Sequence, residues 1–278
     1  ACNEMDIIVS PPDINSSSYR FLPIKQDTIS YGLCAIKGVG DNAAKHICET
    51  RNKTGPYKNI EDFCSRVNLN TINSGTIEAL ISSGCFDNIN QSSRMSTIEN
   101  LNTIMSQGQK NQLDIAAGQN ELFSSSEPAL QSNISKKIVK ISPSNKELIM
   151  ERKVLGYYMS KHPMESYVNE LNDMNIKSIL SINNYIINNS ISKLSTTISG
   201  VIIDSRVQRI GKNKYLNIFK VDDGSSFINV SFFEEKYLIY KHLIKEDKIL
   251  FFHGETLIDE YDSQLSMRAD NVYSLNDA

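Results

Sequence analysis

In the first part of the chain, apolar residues recur three or four positions apart, which places them on one face of a helix. Stretches with this spacing are 41–48, 60–67, 77–81, 98–105 and 148–155. Asp41 suits the first turn of its helix, and Asn73 is a suitable cap for the third helix. Pro163 ends the last run, and a short helix is expected to follow through Leu171.

From Thr196 onward the apolar residues instead follow the spacing of strands. Three strands, a helix over 234–245 and two further strands are predicted before the chain ends at residue 278. The sequence Asp222–Ser225 indicates a hairpin turn between the second and third strands. This order is that of an OB-fold, a five-stranded β-barrel that binds oligonucleotides across one face.

Two segments show neither spacing. Pro11 and Pro12 exclude a helix in residues 1–30 and favour an extended strap. Residues 107–145 are rich in Gln, Ser, Asn and Ala, so we expect a mobile, flexible connector. The predicted fold is multidomain α+β, with these parts in order: strap 1–30, all-α module 31–106, connector 107–145, helical linker 146–195 and β-barrel 196–278.

Composition excludes several classes of protein. Apolar residues make up 40% of the chain and charged residues 22%, with a net charge of −3. This charge argues against binding to DNA by bulk charge but allows a local basic stripe. There is no apolar run long enough to span a membrane and no signal peptide. We therefore expect a cytoplasmic protein without a membrane partner.

The sequence offers no metal or catalytic centre. Its five cysteines are widely spaced and contain no C-x-x-C pair, which does not suit a zinc site. We interpret them as reduced, small buried side chains. There is no nucleophile triad, no Walker loop and no acidic triplet that would hold two Mg²⁺. No catalytic residue and no metal ligand are expected.

A glycine-rich turn precedes the first predicted helix. Its four residues are the first candidates for binding duplex DNA phosphates: Lys37, Gly38, Val39 and Gly40. Two glycines let the backbone approach a phosphate, and the helix that follows directs its free N–H groups at it. The pattern resembles the hairpin of a helix-hairpin-helix motif. A purely structural turn remains the alternative, and Asp41 disfavours strong phosphate binding.

A second, weaker hairpin is possible before the third helix. It comprises Asn73, Ser74 and Gly75, which we also assign to duplex phosphate binding. It lacks the two-glycine pattern of the first hairpin. Considered alone, it would be interpreted as a capped helix.

A short motif lies inside the polar connector. Gln119, Leu122 and Phe123 combine an amide with two large apolar side chains, a combination that suits insertion into a pocket of a partner protein. We predict a short linear motif that docks in such a pocket. The alternative is a helix edge that docks on its own chain.

The predicted first hairpin of the barrel is basic over Arg206–Lys220 and contains no acidic residue there. A basic groove with interleaved rings is typical of single-strand binding. The residues predicted to bind single-stranded DNA are Arg206, Arg209, Lys212, Lys214, Tyr215 and Phe219. Alternation requires that one face of this hairpin belongs to the core. A solvated hairpin with core aromatics is the alternative.

The order of these features resembles the C-terminal part of the bacterial replicative DNA polymerase III α subunits. The resemblance is carried by residues 5–21, 31–40, 84–87, 119–123 and 151–163 and by the barrel. It implies a tandem helix-hairpin-helix that holds duplex DNA, a sliding-clamp peptide and an OB-fold near the single-stranded template. The implied partners are duplex and single-stranded DNA, the sliding clamp ring and other replicase subunits.

Two departures qualify the resemblance. The family usually has arginines where this chain has Ser74 and Gly75, which weakens the expected phosphate grip of the second hairpin. The family's catalytic aspartates lie in a palm region that would precede Ala1, and the region that meets the clamp loader would follow Ala278. The parent resembles a DNA-directed DNA polymerase that uses Mg²⁺. This chain alone is expected to be inactive and to hold no cofactor.

Two other functions remain as alternatives. One is a helix-hairpin-helix and OB-fold scaffold in DNA repair or recombination. The other is the OB-type anticodon-binding domain of a tRNA-charging enzyme, which predicts an adjoining ATP-binding domain and no clamp peptide.

Overall fold

The computed structural model describes residues 7–116, 142–212, 214–258 and 264–274. It divides into two compact units, Ala1–Lys161 and His162–Ala278, here called unit 1 and unit 2. No described helix combines the length and the apolar character needed to cross a bilayer.

Among the described residues, unit 1 has six α-helices where the apolar spacing predicted five, because the single helix expected around 98–105 is divided in two at Asn100. They are α1 Asp41–Thr54, α2 Ile60–Arg66, α3 Ser74–Ser82, α4 Arg94–Glu99, α5 Leu101–Ala116 and α6 Asn145–Leu155. Polar side chains cap most of them. Asn59, Asn73, Ser93 and Ser144 each accept a backbone N–H from the first turn of the helix that follows. Helix α1 differs, because its N-cap is Gly40, which has no side chain.

The described part of the N-terminal strap contains extended segments that form a small sheet. Its strands are β1 Ile8–Ser10, β2 Leu22–Lys25 and β3 Thr28–Ser30, in the order β1-β3-β2. Arg51 of α1 donates to the carbonyls of Ile14 at 2.8 Å and Ser17 at 2.9 Å. The side chain of Asn15 bonds the backbone N–H of Tyr57 at 2.7 Å and its carbonyl at 2.8 Å. The strap is thus fixed to α1 by its backbone carbonyls and to the segment between α1 and α2 by the Asn15 side chain.

The core of unit 1 includes a row of aromatic rings from α2 and from the segments that join the helices. The rings of Tyr57, Phe63 and Phe86 form a chain with centroid separations of 5.0 and 5.2 Å, in edge-to-face geometry. Ile47 and Leu33 are completely buried beside the same helices. This packing holds α1, which follows the glycine turn, in a fixed position.

The predicted limits of the connector and of the linker were wrong. Helix α5 continues to Ala116, because its small and polar residues pack on α2. A methyl group on Gly108 would come within 2.8 Å of the backbone of Cys64, and the Gln112 amide donates to the carbonyls of Cys64 and Val67 at 3.0 and 2.7 Å. The linker 146–195 is divided between the units, since α6 belongs to unit 1.

Unit 2 contains the predicted barrel. Its elements are α7 Val168–Asp173, α8 Ile179–Asn188, β4 Leu194–Gly211, β5 Lys214–Asp222, β6 Phe227–Phe233, α9 Glu234–Tyr240, β7 Ile249–Ile258 and β8 Leu265–Ser274. The strands close in the order β4-β5-β6-β8-β7, with β7 pairing back to β4. Among the described strand pairs of the barrel, only β6 and β8 are parallel. The expected OB-fold is therefore confirmed.

The barrel interior is filled by aromatic and branched side chains. Phe232 and Phe252 are completely buried, with ring centroids 6.3 Å apart. Helix α8, which the sequence analysis did not predict, adds Ile182 and Ile186 to this core. Its first turn is capped by Ser178, and Asp223 accepts the Ile179 N–H at 2.7 Å.

Candidate nucleic-acid interface

The first hairpin exposes backbone amides at the start of α1. Gly38 has a φ of +99°, a conformation that favours glycine, and it turns the chain towards Gly40. Both glycines are exposed, and no protein atom lies within 4 Å of the position a Cβ would take at Gly40. The first-turn amides of an α-helix have no intrahelical partner, and Gly40 has no side chain that could cap those of α1. This arrangement suits an anion such as a phosphate.

The four predicted residues of this hairpin do not act alike. Lys37 presents an exposed side chain, and the two glycines present backbone. Val39 was wrongly assigned to phosphate binding. Its side chain is only 4% exposed and lies in the core, and its N–H donates to the Ile36 carbonyl at 2.9 Å. Val39 therefore forms the turn but offers no group to a ligand.

The charge near the α1 N-terminus is mixed. Asp41 is exposed in the first turn, where it repels a phosphate, and the guanidinium of Arg20 lies 3.8 Å from its carboxylate. The Arg20 guanidinium lies 5.6 Å from the centroid of the Tyr19 ring, and the Lys45 ammonium lies 5.7 Å from it. Arg20, Lys37 and Lys45 thus supply positive charge that offsets Asp41.

The second hairpin offers fewer groups. The side chain of Asn73 accepts the Thr76 N–H at 2.9 Å, so one first-turn amide of α3 is already bonded. Ser74 and Gly75 are exposed. The Thr76 hydroxyl donates to the Gly38 carbonyl at 3.2 Å, which joins the two hairpins. The structure brings both predicted hairpins together, with the first one more open to a ligand.

The basic residues of the barrel hairpin lie on different faces. The register pairs Arg206 with Ile218 and Arg209 with Tyr215. Strand alternation therefore places Arg206 on one face and the pair of Arg209 and Tyr215 on the other. Lys212 and Lys214 are exposed at the tip. These residues form an exposed basic arm rather than one continuous groove.

Phe219 was wrongly assigned to single-strand binding. It is 6% exposed and packs inside the barrel, with ring centroids 6.1 Å from Phe232 and 5.8 Å from Tyr237. Its ring cannot stack on a base. Tyr215, on the same strand face but nearer the tip of the arm, is 39% exposed and retains that ability.

Two exposed rings on β6 were missed. Phe227 and Phe233 are 44% and 42% exposed and lie six residues apart on one face, a distance of roughly 20 Å along a strand. The Lys220 ammonium lies 3.7 Å from the ring centroid of Phe227, and the Arg268 guanidinium lies 5.4 Å from that of Phe233. Each ring is thus combined with a cation.

A groove accompanies these rings on the outer face of β4, β5 and β6. Its volume is about 370 Å³. The lining residues that carry charge or a ring are Asp204, Arg206, Lys220 and Phe227. We call this surface, together with Phe233 and Arg268, the ring face. The sequence signal for it was alternation, because Ile228, Val230 and Phe232 are buried and direct their neighbours outward.

The remaining predictions concern the connector and the thiols. Gln119, Leu122 and Phe123 lie outside the described residues. Burial raises the pKa of the Cys64 thiol and of the Cys85 thiol to about 12. Both therefore remain protonated thiols at neutral pH. No group of three or more metal-binding side chains occurs in the part of the chain that the structure describes.

Known proteins resemble this chain in sequence. Residues 6–96 match a family model described as "Helix-hairpin-helix motif". The chain is 30% identical over 279 residues to DNA polymerase III subunit alpha of Pasteurella multocida (strain Pm70), covering 100% of this chain and 24% of that protein. It is 31% identical over 281 residues to DNA polymerase III subunit alpha of Vibrio cholerae serotype O1, with the same two coverages.

These matches confirm the resemblance predicted from the motifs. The chain spans about a quarter of the length of the curated relatives it matches, in their C-terminal part. Among solved structures, the second OB-fold domain of replication protein A from Methanococcus maripaludis is 18% identical, covering 31% of this chain and 87% of that chain, with a TM-score of 0.24. The fold assignment rests on the closed strand order and not on that score.

Proposed function

Because the chain is similar along its whole length to the C-terminal part of DNA polymerase III α subunits, we propose that it is the DNA-holding and clamp-tethering part of a replicative DNA polymerase. The first hairpin binds duplex phosphates, the barrel binds single-stranded DNA, and the Gln119–Phe123 peptide binds a sliding clamp. The open α1 N-terminus beside Gly40 is the observation that carries the DNA-binding part of this proposal. We place the protein in the cytoplasm with other replicase subunits.

Tethering is the proposed mechanism. The hairpin contacts the DNA backbone through amides and lysine, which read no base sequence. A short clamp peptide binds weakly alone. A clamp threaded on the same DNA raises the effective concentration of its pocket, so two weak contacts give a stable attachment.

The hairpin is tested by Gly40→Val. We expect duplex affinity to fall by about 1.5–3 kcal/mol, the size of a hydrogen bond to a charged group, because the valine side chain occupies the space in front of the amides. The φ of −74° at residue 40 is compatible with valine, and no protein atom is displaced. Fluorescence anisotropy with labelled duplex DNA measures the effect, and thermal denaturation checks that the variant folds.

Gly75→Val in the second hairpin is the matched control. A Cβ there would meet only the Asn73 side chain, at an ordinary 3.5 Å. We expect a smaller loss of duplex affinity, since the Asn73 side chain already bonds one amide of α3. Unchanged affinity in folded Gly40→Val contradicts the proposed role of the first hairpin.

The ring face is tested by Phe227→Ala and Phe233→Ala. Each substitution is expected to cost about 1–3 kcal/mol of single-strand binding, the value of one base stacked on an aromatic ring. Tyr273→Ala is the control, because Tyr273 is 42% exposed on β8 but lines a different pocket. If the three variants lose the same amount of affinity in a titration with single-stranded DNA, the proposal that the ring face binds that DNA is contradicted.

A further inference from the structure

The first hairpin receives little support from the element before it. Among the described residues, the element directly before it is a 3-10 turn, Leu33–Ala35, in place of a full helix. Within the turn itself, the Val39 N–H donates to the Ile36 carbonyl at 2.9 Å. A single short turn does not hold a backbone in place by its own hydrogen bonds. Groups outside the hairpin must therefore fix it.

Helix α6 supplies such groups from its last turn. The N–H of Lys37 donates to the Val154 carbonyl at 2.9 Å. The buried Tyr31 hydroxyl lies 3.4 Å from the Ala35 carbonyl and 3.5 Å from the Leu155 carbonyl. Burial raises the pKa of Tyr31, which keeps this hydroxyl a donor. The C-terminal carbonyls of α6 thus position both the 3-10 turn and the hairpin.

A buried ionic network holds α6 one turn earlier. Glu151 is completely buried, and its Oε2 accepts from the Arg94 guanidinium at 2.6 Å. Its Oε1 accepts the N–H groups of Met159 and Ser160 at 2.6 and 2.7 Å. Arg94 is 6% exposed and also bonds Asp87 at 2.6 Å. The two buried charged groups, Arg94 and Glu151, therefore both have hydrogen-bond partners.

A second carboxylate fixes the first half of the helix. Glu147 is 3% exposed and accepts the Met95 N–H at 3.0 Å, beside Arg94 on α4. Burial alone would raise the pKa of Glu147, but the amides of Met95 and Ser144 hold it below its ordinary value. The carboxylates of Glu147 and Glu151, one helical turn apart, thus fix α6 to Met95 and Arg94 of α4. Because residues 151 and 154 are separated by about 4.5 Å along the helix axis, a shift at Glu151 reaches the hairpin directly.

We infer that α6 positions the first hairpin. Arg94 and Glu151 act through α6 as positioning residues for the phosphate-facing amides of that hairpin. The pair sets where the Val154 carbonyl meets the Lys37 N–H, and so where Gly38 and Gly40 present their backbone. The inference rests on the proposed function for its ligand, a duplex phosphate. The matched helix-hairpin-helix family covers residues 6–96, so α6 lies outside it.

The first test removes the hydrogen bond without touching α6. Lys37→Pro deletes the N–H, and Lys37→Ala is the matched control that deletes only the side chain. Ile36 already has φ −73° and ψ 122°, the conformation that proline requires of its predecessor. In the full chain, Lys37→Pro is expected to bind labelled duplex DNA at least fivefold more weakly than Lys37→Ala, with equal helical content. Equal affinities of the two folded variants overturn the inference.

The second test changes the buried pair of Arg94 and Glu151 and measures amide hydrogen exchange in the hairpin. Glu151→Gln keeps the shape of the side chain but removes its charge. Amide hydrogen exchange of Lys37 is expected to rise at least tenfold more than exchange of Ile47 inside α1, which reports the loss of stability of unit 1 as a whole. An unchanged rate at Lys37, or equal rises at both amides, overturns the inference, because the pair would then act only on global stability.

The two tests separate this inference from the proposed function. If the unmodified chain has no affinity for duplex DNA, the proposed function fails, while the exchange experiment still decides whether α6 positions the hairpin. If the chain binds duplex DNA and Lys37→Pro binds as well as Lys37→Ala, only the inference fails.

Discussion

Replacing Arg94 by alanine is expected to lower the free energy of unfolding of unit 1 by about 3–5 kcal/mol, because it leaves Glu151 buried without its charged partner. Arg94 is 6% exposed and Glu151 is completely buried, so the carboxylate is not surrounded by bulk solvent that could replace the lost guanidinium. Burial alone would lower the pKa of Arg94, but its bonds to Asp87 and Glu151 raise it, so Arg94 carries its positive charge. Urea denaturation followed by far-UV circular dichroism measures the loss, since α1–α6 all lie in unit 1.

Arg20→Ala provides the control for this result. Arg20 pairs with Asp41 at 3.8 Å, and their side chains are 67% and 52% exposed. An exposed pair of this kind contributes at most about 1 kcal/mol. A loss of stability in Arg94→Ala no larger than in Arg20→Ala contradicts the account of the buried network.

Replacing Leu122 and Phe123 together by alanine is expected to abolish binding to the sliding clamp. Two large apolar side chains that fill a pocket contribute about 2 kcal/mol or more each. If these losses are additive, affinity falls by about three orders of magnitude. Surface plasmon resonance on immobilised clamp, with the full chain as analyte, measures the change.

The control replaces two other exposed apolar residues, on the nearby helix α5, by alanine. Leu113 and Ile115 of α5 are 65% and 57% exposed, and they precede the predicted peptide by fewer than ten residues. Leu113→Ala with Ile115→Ala is expected to leave clamp affinity unchanged. Undiminished binding by the variant at residues 122 and 123 contradicts clamp tethering and leaves the repair or recombination scaffold as the better interpretation.

Helices and strands were predictable here because their periodicity is a local property. Asp41–Thr54 carries its apolar stripe within one segment, and the five strands of the barrel follow in the order of an OB-fold. Helix α8 was missed because its many asparagines obscured the stripe of Ile179, Ile182 and Ile186. Helix α5 was cut short because Gly108 and Gln112 pack on α2 without being apolar.

The candidate sites were less predictable because sequence does not say which face of a strand or turn is covered. Alternation divided the hairpin of β4 and β5 into two faces, and Phe219 proved to lie on the buried one. The same rule, applied to β6, would have directed Phe227 and Phe233 outward. Val39 stands between two exposed glycines, yet its side chain belongs to the core. Such distinctions depend on partners far along the chain.

The buried network shows this limit most clearly. Arg94 and Glu151 are 57 residues apart, and nothing in the spacing of either one indicates the other. The support that α6 gives to Lys37 is likewise a backbone hydrogen bond, which has no sequence signature. Motif reasoning located the hairpin, whereas only the three-dimensional structure reveals what holds it.

A titration of the full chain with labelled duplex and single-stranded DNA at several salt concentrations tests the central claim most directly. The account predicts binding of both DNAs at low ionic strength, with the logarithm of each affinity falling linearly with the logarithm of salt concentration, because Lys and Arg side chains release counterions from the phosphates. Absence of binding to both DNAs at low ionic strength would contradict it.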